Sequence, residues 1–513
     1  MRIVSVIVLA LAAGSSHAAS YFTGAGAPGP HAVGLRVVQQ YDYSRVYRGA
    51  FDHATGKAVT GERARPVQTL IWYPAQAIGN NITWGGYVRL GASEEFFGRS
   101  AGEIDAATAE FVKSQYASEA GSARARDEAA QMMLARPDAR ALAGKYPVVI
   151  YAPSLSASAA ENADLCEQLA SHGYVVLASA SLGPRSRAMP TDLDGIAAQA
   201  ADIAYLVAYA HTLAQADTGK LALAGYSWGG ISNVFAAAAD SRIKALVSLD
   251  GSVRYYPELV STNKQVAPVR LAIPMLYLAA RPRSLEEIAE RGKPSTSFLN
   301  EMKYGAMLKV TLTPMEHFAF SSSYLRYASD KRYGDYTRTE VNQAHKWAVT
   351  YVQRFLDAYL KDDAAAKVFL ANAPAKNGVP AHVLALEARA PIALPATLET
   401  LAVALDKDGF DDAHAAYLAL RKQDSKFEPP EKAVNAWGYD LLGRGETVKA
   451  IEVFRLNTLL FPASANCFSS LGEAYEQQGS RALAVLNYRR ALALDPLDEW
   501  ALARLKELAP PRS

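Results

Sequence analysis

Gly225-Tyr226-Ser227-Trp228-Gly229 sets a serine midway between two glycines. A serine hydroxyl is a weak nucleophile until a base takes its proton, so the chemistry open to Ser227 is acyl transfer assisted by an imidazole. The flanks give the string its meaning. Leu221-Ala222-Leu223-Ala224 reads as a short buried strand, and Gly229-Gly230-Ile231-Ser232-Asn233-Val234-Phe235-Ala236 reads as the start of a helix. A nucleophile elbow needs strand, tight turn and helix in that order. The positions around the serine must be small, which Gly225, Gly229 and Gly230 supply. Such a turn lifts the hydroxyl out at the C-terminal edge of a sheet, and the helix start aims backbone N–H groups at the same place. An ordinary glycine-rich turn would share the string but would need no base or acid downstream.

In elbows of this kind the chain order is serine, acid, histidine. Four of the nine histidines follow Ser227: His317, His345, His382 and His414. His345 falls in a helical stretch, His382 in a Pro- and Ala-rich segment and His414 in a repeat region. His317 follows an apolar strand, within Thr313-Pro314-Met315-Glu316-His317-Phe318, where a base can swing over the serine. The acid must hold the imidazole in one tautomer and stabilise its protonated form. Asp250, 23 residues after Ser227, ends the strand-like Ser248-Leu249-Asp250-Gly251. The strand beginning near Met275 leaves through Ala280-Arg281-Pro282-Arg283-Ser284 without a carboxylate until Glu286. The acid is therefore assigned to Asp250, with Glu286 and Glu316 as alternatives.

These residues need a frame. Apolar, β-branched runs recur at Val67–Tyr73, Val148–Ala152, Tyr174–Ala178, Leu221–Ala224, Ala245–Leu249, Met275–Ala279 and Leu308–Leu312, with helical stretches such as Glu161–Ser171 and Ile196–Ala214 between them. That alternation predicts an α/β fold, a mostly parallel sheet with helices on both faces. Residues 87–143 break the rhythm. They read as a helical insertion without a strand, which could lie over the strand ends as a lid or pack on the outer sheet. A long helix over Val341–Leu370 is expected to close this domain at about residue 372, and residues 373–395, rich in Ala and Pro, are expected to form a linker.

The core resembles the platelet-activating-factor acetylhydrolase and dienelactone-hydrolase-like branch of the α/β-hydrolase superfamily. The resemblance rests on the elbow, on Leu249-Asp250, on Ile71-Trp72-Tyr73-Pro74 and on Lys145-Tyr146-Pro147-Val148-Val149-Ile150, and it spans roughly residues 65 to 372. Acetylhydrolases likewise carry the acid after the strand that follows the nucleophile helix. Dienelactone hydrolases use a cysteine nucleophile, so Ser227 points away from that activity. The resemblance implies oxyanion donors at the amides of Leu155 and Trp228. It also exposes a departure: relatives often have His-Gly where this chain has Pro153-Ser154, and since serine disfavours positive φ, the loop shape is expected to differ.

The C-terminal segment repeats with a period of 34: Gly438 and Gly472, Gly445 and Gly479, Ala450 and Ala484, Phe454 and Tyr488, Pro462 and Pro496. This resembles tetratricopeptide repeats, in which small residues let paired helices cross closely and aromatics fill the groove. Two full repeats span Glu431–Asp498, a degenerate one Ala396–Phe427, and Glu499–Leu508 is a capping helix, so an all-α repeat domain is expected over residues 396–510. Such surfaces bind a peptide or protein partner, or serve to stabilise the domain before them.

At the other end, Met1-Arg2, the apolar run Ile3–Ala13 and Ser16-His17-Ala18 read as a signal peptide cut after Ala18, with a short anchor as the alternative. An exported, periplasmic or extracellular protein without a stable membrane anchor follows. The net charge of +2 gives no field for nucleic acid. Cys166 and Cys467 fall in different expected domains, which argues against a disulfide and supplies no metal-ligand cluster. No cofactor is implied. Together these features predict an esterase acting on a small-molecule or lipid-like ester. A prolyl-oligopeptidase-type peptidase shares the elbow, but residues 19 to 65 are too short for its propeller. A non-catalytic scaffold would not need serine, acid and histidine in order.

Overall fold

The computed structural model describes residues 20–51, 56–113, 121–263, 266–281 and 298–508. The expected signal peptide and the alternative acid Glu286 lie outside these residues. The chain divides into two compact units, with the boundary between Pro391 and Ile392.

The first unit is built on ten strands: β1 (Ala32–Val46), β2 (Ala64–Ala75), β3 (Ala135–Pro137), β4 (Tyr146–Ala152), β5 (Val175–Ser179), β6 (Ala216–Tyr226), β7 (Ile243–Leu249), β8 (Met275–Ala280), β9 (Met307–Leu312) and β10 (Leu384–Arg389). They lie in the order β10-β9-β8-β7-β6-β4-β5-β2-β1-β3. Strands β4 to β9 run parallel, whereas β2 is antiparallel to β5, β1 to β2, and β10 to β9. Parallel strands covered on both faces read as continuous apolar runs, which is why β4 to β9 were visible in the sequence. Their side chains still divide by the two-residue period. Val148, Ile150 and Leu223 pack on one face with helices Leu193–Ala210 and Trp228–Ala239. Val149, Tyr151 and Ala222 pack on the other with helices Ala163–Ser171 and Arg338–Leu360.

Winding reverses at β4, with β5 on one side and β6 on the other. A crevice opens at the carboxyl ends of strands at such a switch point. The register brings those ends level: Ala152 of β4 pairs with Gly225 of β6, Tyr226 with Leu249 of β7, Leu249 with Leu278 of β8, and Ala280 with Leu312 of β9.

Three expectations are corrected. Residues 373–395 are not simply a linker, because β10 within them pairs with β9 from Leu384–Leu312 to Arg389–Met307. As an edge strand it is half-exposed, and Leu-Ala-Leu-Glu-Ala-Arg has too little apolar content to declare itself. The helix expected over Val341–Leu370 is two, Arg338–Leu360 and Ala364–Ala371, parted where Asp362 takes φ 58° and Asp363 caps the second helix through Ala366 N. The insertion does contain a strand, since β3 pairs parallel with β1. Its helices are Trp84–Gly91, Ala101–Val112 and Ser122–Ala129.

Buried polar bonds tie the insertion to the sheet. Trp72 Nε1 donates to Tyr87 Oη at 2.7 Å, and Tyr87 donates to Glu167 Oε1 at 2.7 Å. Glu167 also accepts from the amides of Leu134 and Ala135, and burial pushes its carboxyl up to about 7. The Arg326 guanidinium pairs with Glu128 at 3.0 Å and Asp164 at 2.6 Å. A buried charge is tolerated when paired and hydrogen-bonded in this way.

The second unit consists of helix pairs. Helices Glu431–Gly443 and Thr447–Leu460 form one repeat, and Ala465–Gln477 and Arg481–Leu494 the next. The helices Leu398–Asp408 and Ala413–Gln423 precede them, and Glu499–Leu508 follows. A Cβ on Gly438 would lie 2.4 Å from Phe454 Cε1, and one on Gly472 would lie 2.8 Å from Tyr488 Cε1. The glycine and aromatic positions of the 34-residue period are thus the two sides of one contact. Gly438→Ala should overpack this contact and lower the stability of the repeat unit by about 1–3 kcal/mol. Urea unfolding followed by circular dichroism measures the loss, and an unchanged midpoint would show that Phe454 yields freely.

Candidate active site

Ser227 stands at the turn from β6 into helix Trp228–Ala239 with φ 51° and ψ −114°. A non-glycine residue in that region is strained, and the strain persists only where neighbours hold it. Here Ser227 N donates to Leu249 O at 3.1 Å, while Ser227 O accepts from Gly230 N at 3.0 Å and Ser252 N at 2.7 Å. Space around the turn is closed. A Cβ on Gly225 would meet Asn233 Nδ2 at 2.5 Å, one on Gly229 would meet Ala152 O at 2.0 Å, and one on Gly230 would meet Gly251 Cα at 2.6 Å.

The turn after β7 carries Asp250, which is fully buried with φ 42°. Its Oδ1 accepts from Ala280 N at 3.1 Å, and its Oδ2 accepts from Tyr255 Oη at 2.8 Å. His317 comes from the loop after β9. Its Nδ1 lies 2.7 Å from Asp250 Oδ2 and its Nε2 lies 2.9 Å from Ser227 Oγ. The His317 carbonyl accepts from Tyr226 Oη at 2.9 Å, so the residue before the serine also holds the histidine backbone. The ring packs between Tyr226, at 5.2 Å between centroids, and the edge-on Tyr255, at 5.7 Å.

The other candidates lie elsewhere. Glu316 pairs with Arg281. His345 is buried in helix Arg338–Leu360 with Nδ1 3.1 Å from Gly24 O. His382 is exposed in the segment before β10, and His414 stacks near Tyr417 in the second unit. Cys166 and Cys467 are both buried and free.

Ser154 and Leu155 follow β4. Among the described residues, neither the Leu155 amide nor the Trp228 amide has a hydrogen-bond acceptor. The contact between Gly229 and the carbonyls of Ala152 and Pro153 sets the two amides' segments side by side. The sequence departure at Ser154 does not put that residue at positive φ. The left-handed residue is Ser156, at φ 58°, whose Oγ accepts from Met189 N at 2.9 Å.

Three residues that sequence reasoning missed shape this loop. Glu161 accepts from Ser154 N at 2.8 Å and from Ser154 Oγ at 2.5 Å. Buried Asn162 donates to Tyr151 Oη at 2.7 Å and Phe320 O at 2.9 Å, and accepts from Ser322 N at 2.7 Å. Buried Glu94, from the insertion, accepts from Ser158 Oγ at 2.7 Å and Ala159 N at 2.9 Å and pairs with Arg187 at 2.8 Å. No motif marks them, because each acts through backbone that only the fold brings close.

A cavity of about 760 Å³ adjoins the loop. Aromatic Trp84, Tyr87, Phe111, Tyr324 and Tyr327 line part of it, charged groups such as Glu95 and Arg99 line another part, and the wall reaches the loop at Ser154, Leu155 and Glu161. Ser227 and His317 are not part of that wall.

A twisted, mostly parallel sheet with a strained serine elbow at its carboxyl edge is the architecture of an α/β hydrolase, here followed by tetratricopeptide-type repeats. Residues 107–254, which include the loop, the elbow and Asp250, match the family model described as Chlorophyllase. The chain is also similar to "Cellulose synthase operon protein C" of Escherichia coli strain K12 and to the "Putative cellulose synthase operon protein C" of Escherichia coli O157:H7. Each is 34% identical over 94 residues, which is 18% of this chain and 8% of the relative, so the chain spans less than a tenth of their length. Among solved structures, the ferulic acid esterase from Streptomyces cinnamoneus is similar at 18% identity and a TM-score of 0.45, over 66% of this chain and 93% of that one.

Gly229→Ala should cost about 1–3 kcal/mol and push the loop after β4 away from the elbow. A thermal melt of the variant measures the loss, and wild-type stability would show that the approach of Gly229 to Ala152 O is not tight.

Proposed function

We propose that the protein hydrolyses carboxylic esters through an acyl-enzyme on Ser227. The observation that carries this reading is the continuous hydrogen-bonded line from Asp250 Oδ2 through His317 to Ser227 Oγ, at 2.7 and 2.9 Å. His317 Nε2 takes the serine proton as Oγ attacks the ester carbonyl, then returns it to the leaving alcohol. Asp250, with two further donors fixing its carboxylate, holds Nδ1–H towards itself and stabilises the imidazolium. The amides of Leu155 and Trp228 receive the charge that develops on the carbonyl oxygen. Water then attacks the acyl-enzyme by the same route, and no step calls for a metal or organic cofactor.

The aromatic cavity beside the loop supports a bulky, largely apolar group on one side of the ester, a small-molecule or lipid-like substrate. We read the chain as exported, and among the described residues no helix is long and apolar enough to cross a membrane. The repeats are assigned a peptide or protein partner, a role that partly exposed Tyr439 and Trp500 support.

Fluorophosphonate labelling should be lost in Ser227→Ala, and labelling that survives would overturn the assignment. With p-nitrophenyl esters, Asp250→Asn should lower kcat on the order of 10⁴-fold. Glu316→Gln, whose partner is Arg281, should keep activity within about threefold. Phe111→Ala should raise KM for long-chain or aromatic esters by roughly tenfold relative to acetate, the scale of one apolar contact. Equal changes for both would separate the cavity from substrate binding.

A further inference from the structure

Glu161 is a carboxylate that the hydrolytic scheme leaves unused, yet it bonds to the loop after β4 and to the segment that follows His317. Its Oε2 accepts from Ser154 N at 2.8 Å and its Oε1 from Ser154 Oγ at 2.5 Å. Ser154 immediately precedes Leu155, whose amide has no acceptor among the described residues. The backbone of Glu161 ties the same loop to the segment carrying His317, since its carbonyl accepts from Ser323 N at 3.2 Å and its amide donates to Ser158 O at 3.1 Å. The next residue, Asn162, clamps Phe320 and Ser322. Glu161 also lines the aromatic cavity.

We propose that Glu161 is a positioning residue whose ionised carboxylate holds Ser154 and thereby keeps the Leu155 amide aimed at the developing oxyanion. The inference rests on the ester-hydrolase reading. Both Ser154 donors need acceptors, and a carboxylate supplies two in a fixed plane. A protonated carboxyl keeps one good acceptor and turns the other oxygen into a donor, so Ser154 Oγ has to switch to accepting and the loop loses its charge-assisted bonds. The groups that interact with Glu161 are His317 from the loop after β9, Tyr151 from β4 and Tyr226 from β6, and it shares the cavity lining with Tyr87, Glu94, Glu95, Arg99, Arg187, Tyr324, Tyr327 and Arg332. Burial pushes the Glu161 carboxyl up to about 7, against its bonds to Ser154 and the attraction of a protonated His317. The sign follows: loop order is complete above that value and falls away as pH drops through it. The acid limb of activity therefore contains a protonation on Glu161.

The test is the pH dependence of p-nitrophenyl ester hydrolysis for the full-length wild type, Glu161→Gln, Ser154→Ala and the double variant, with circular dichroism on each. Glu161→Gln should lower kcat about 10- to 100-fold, the range for a misaimed donor, with KM within about threefold. The wild type should lose about 10- to 100-fold in kcat as pH falls through the Glu161 value, and Glu161→Gln should lack that step. The double variant should be no worse than Glu161→Gln alone, because the carboxylate acts through Ser154. A trifluoromethyl ketone, which forms the oxyanion adduct, should bind more weakly in proportion to the loss in kcat/KM. A wild-type kcat and an unchanged acid limb in Glu161→Gln would overturn the inference. If Glu161→Gln does not fold, Ser154→Ala decides: full activity and unaltered ketone affinity there would overturn it too. Failure of the wild type to label at Ser227 or to turn over any ester would instead sink the ester-hydrolase reading.

Discussion

The helix that begins at Trp228 starts in contact with the backbones of its neighbours. Gly229 lies against the carbonyls of Ala152 and Pro153, and Gly230 against Gly251. Atoms this close leave no room for a Cβ, so the loop after β4, the serine turn after β6 and the acid turn after β7 become one packed knot. The strain at Ser227 and Asp250, both at positive φ, is sustained by that packing. Were the knot looser, neither the serine hydroxyl nor the acid would have a defined direction, and His317 could not reach both.

Around the knot the structure invests in buried polar bonds. Asp250 meets Tyr255, Ala280, His317 and Arg254, Glu161 holds Ser154, Asn162 holds Phe320 and Ser322, and Glu94 holds Ser158 and Ala159. Such groups are costly when unpaired and directional when paired, which makes them suited to fixing loops that have no regular structure of their own. The insertion takes part, because Glu94 joins it to the loop and the Trp72–Tyr87 bond joins it to the sheet. Its aromatic residues then form a wall beside the chemistry while its polar residues set the loop's shape.

The repeats follow a different economy. Their stability comes from one contact replicated at a period of 34, small residue against aromatic, Gly438 with Phe454 and Gly472 with Tyr488. Nearest-neighbour packing of this kind is local in sequence, whereas the hydrolase unit joins residues far apart, such as Ser227 with His317, which are 90 positions distant.

That difference explains what could be read from the sequence. The elbow, the buried parallel strands, His317 after β9 and the repeat period are written in residue type and spacing, because each depends on a local turn, a run of apolar residues or a recurrent contact. The strand β1 and the edge strands β3 and β10 are not legible, since partly exposed strands carry mixed residues, and β10 reads as linker. Nor could the sequence show which carboxylate His317 meets. Asp250 was preferred from its place at a strand end, but its 2.7 Å approach to Nδ1, and the turn of Glu316 towards Arg281, follow from the register of β7, β8 and β9. The roles of Glu161, Asn162 and Glu94 belong wholly to tertiary structure. A side chain bonded to backbone, seven residues away for Glu161 and 158 for Asn162, has no spacing rule, and only the folded chain decides which loop it holds.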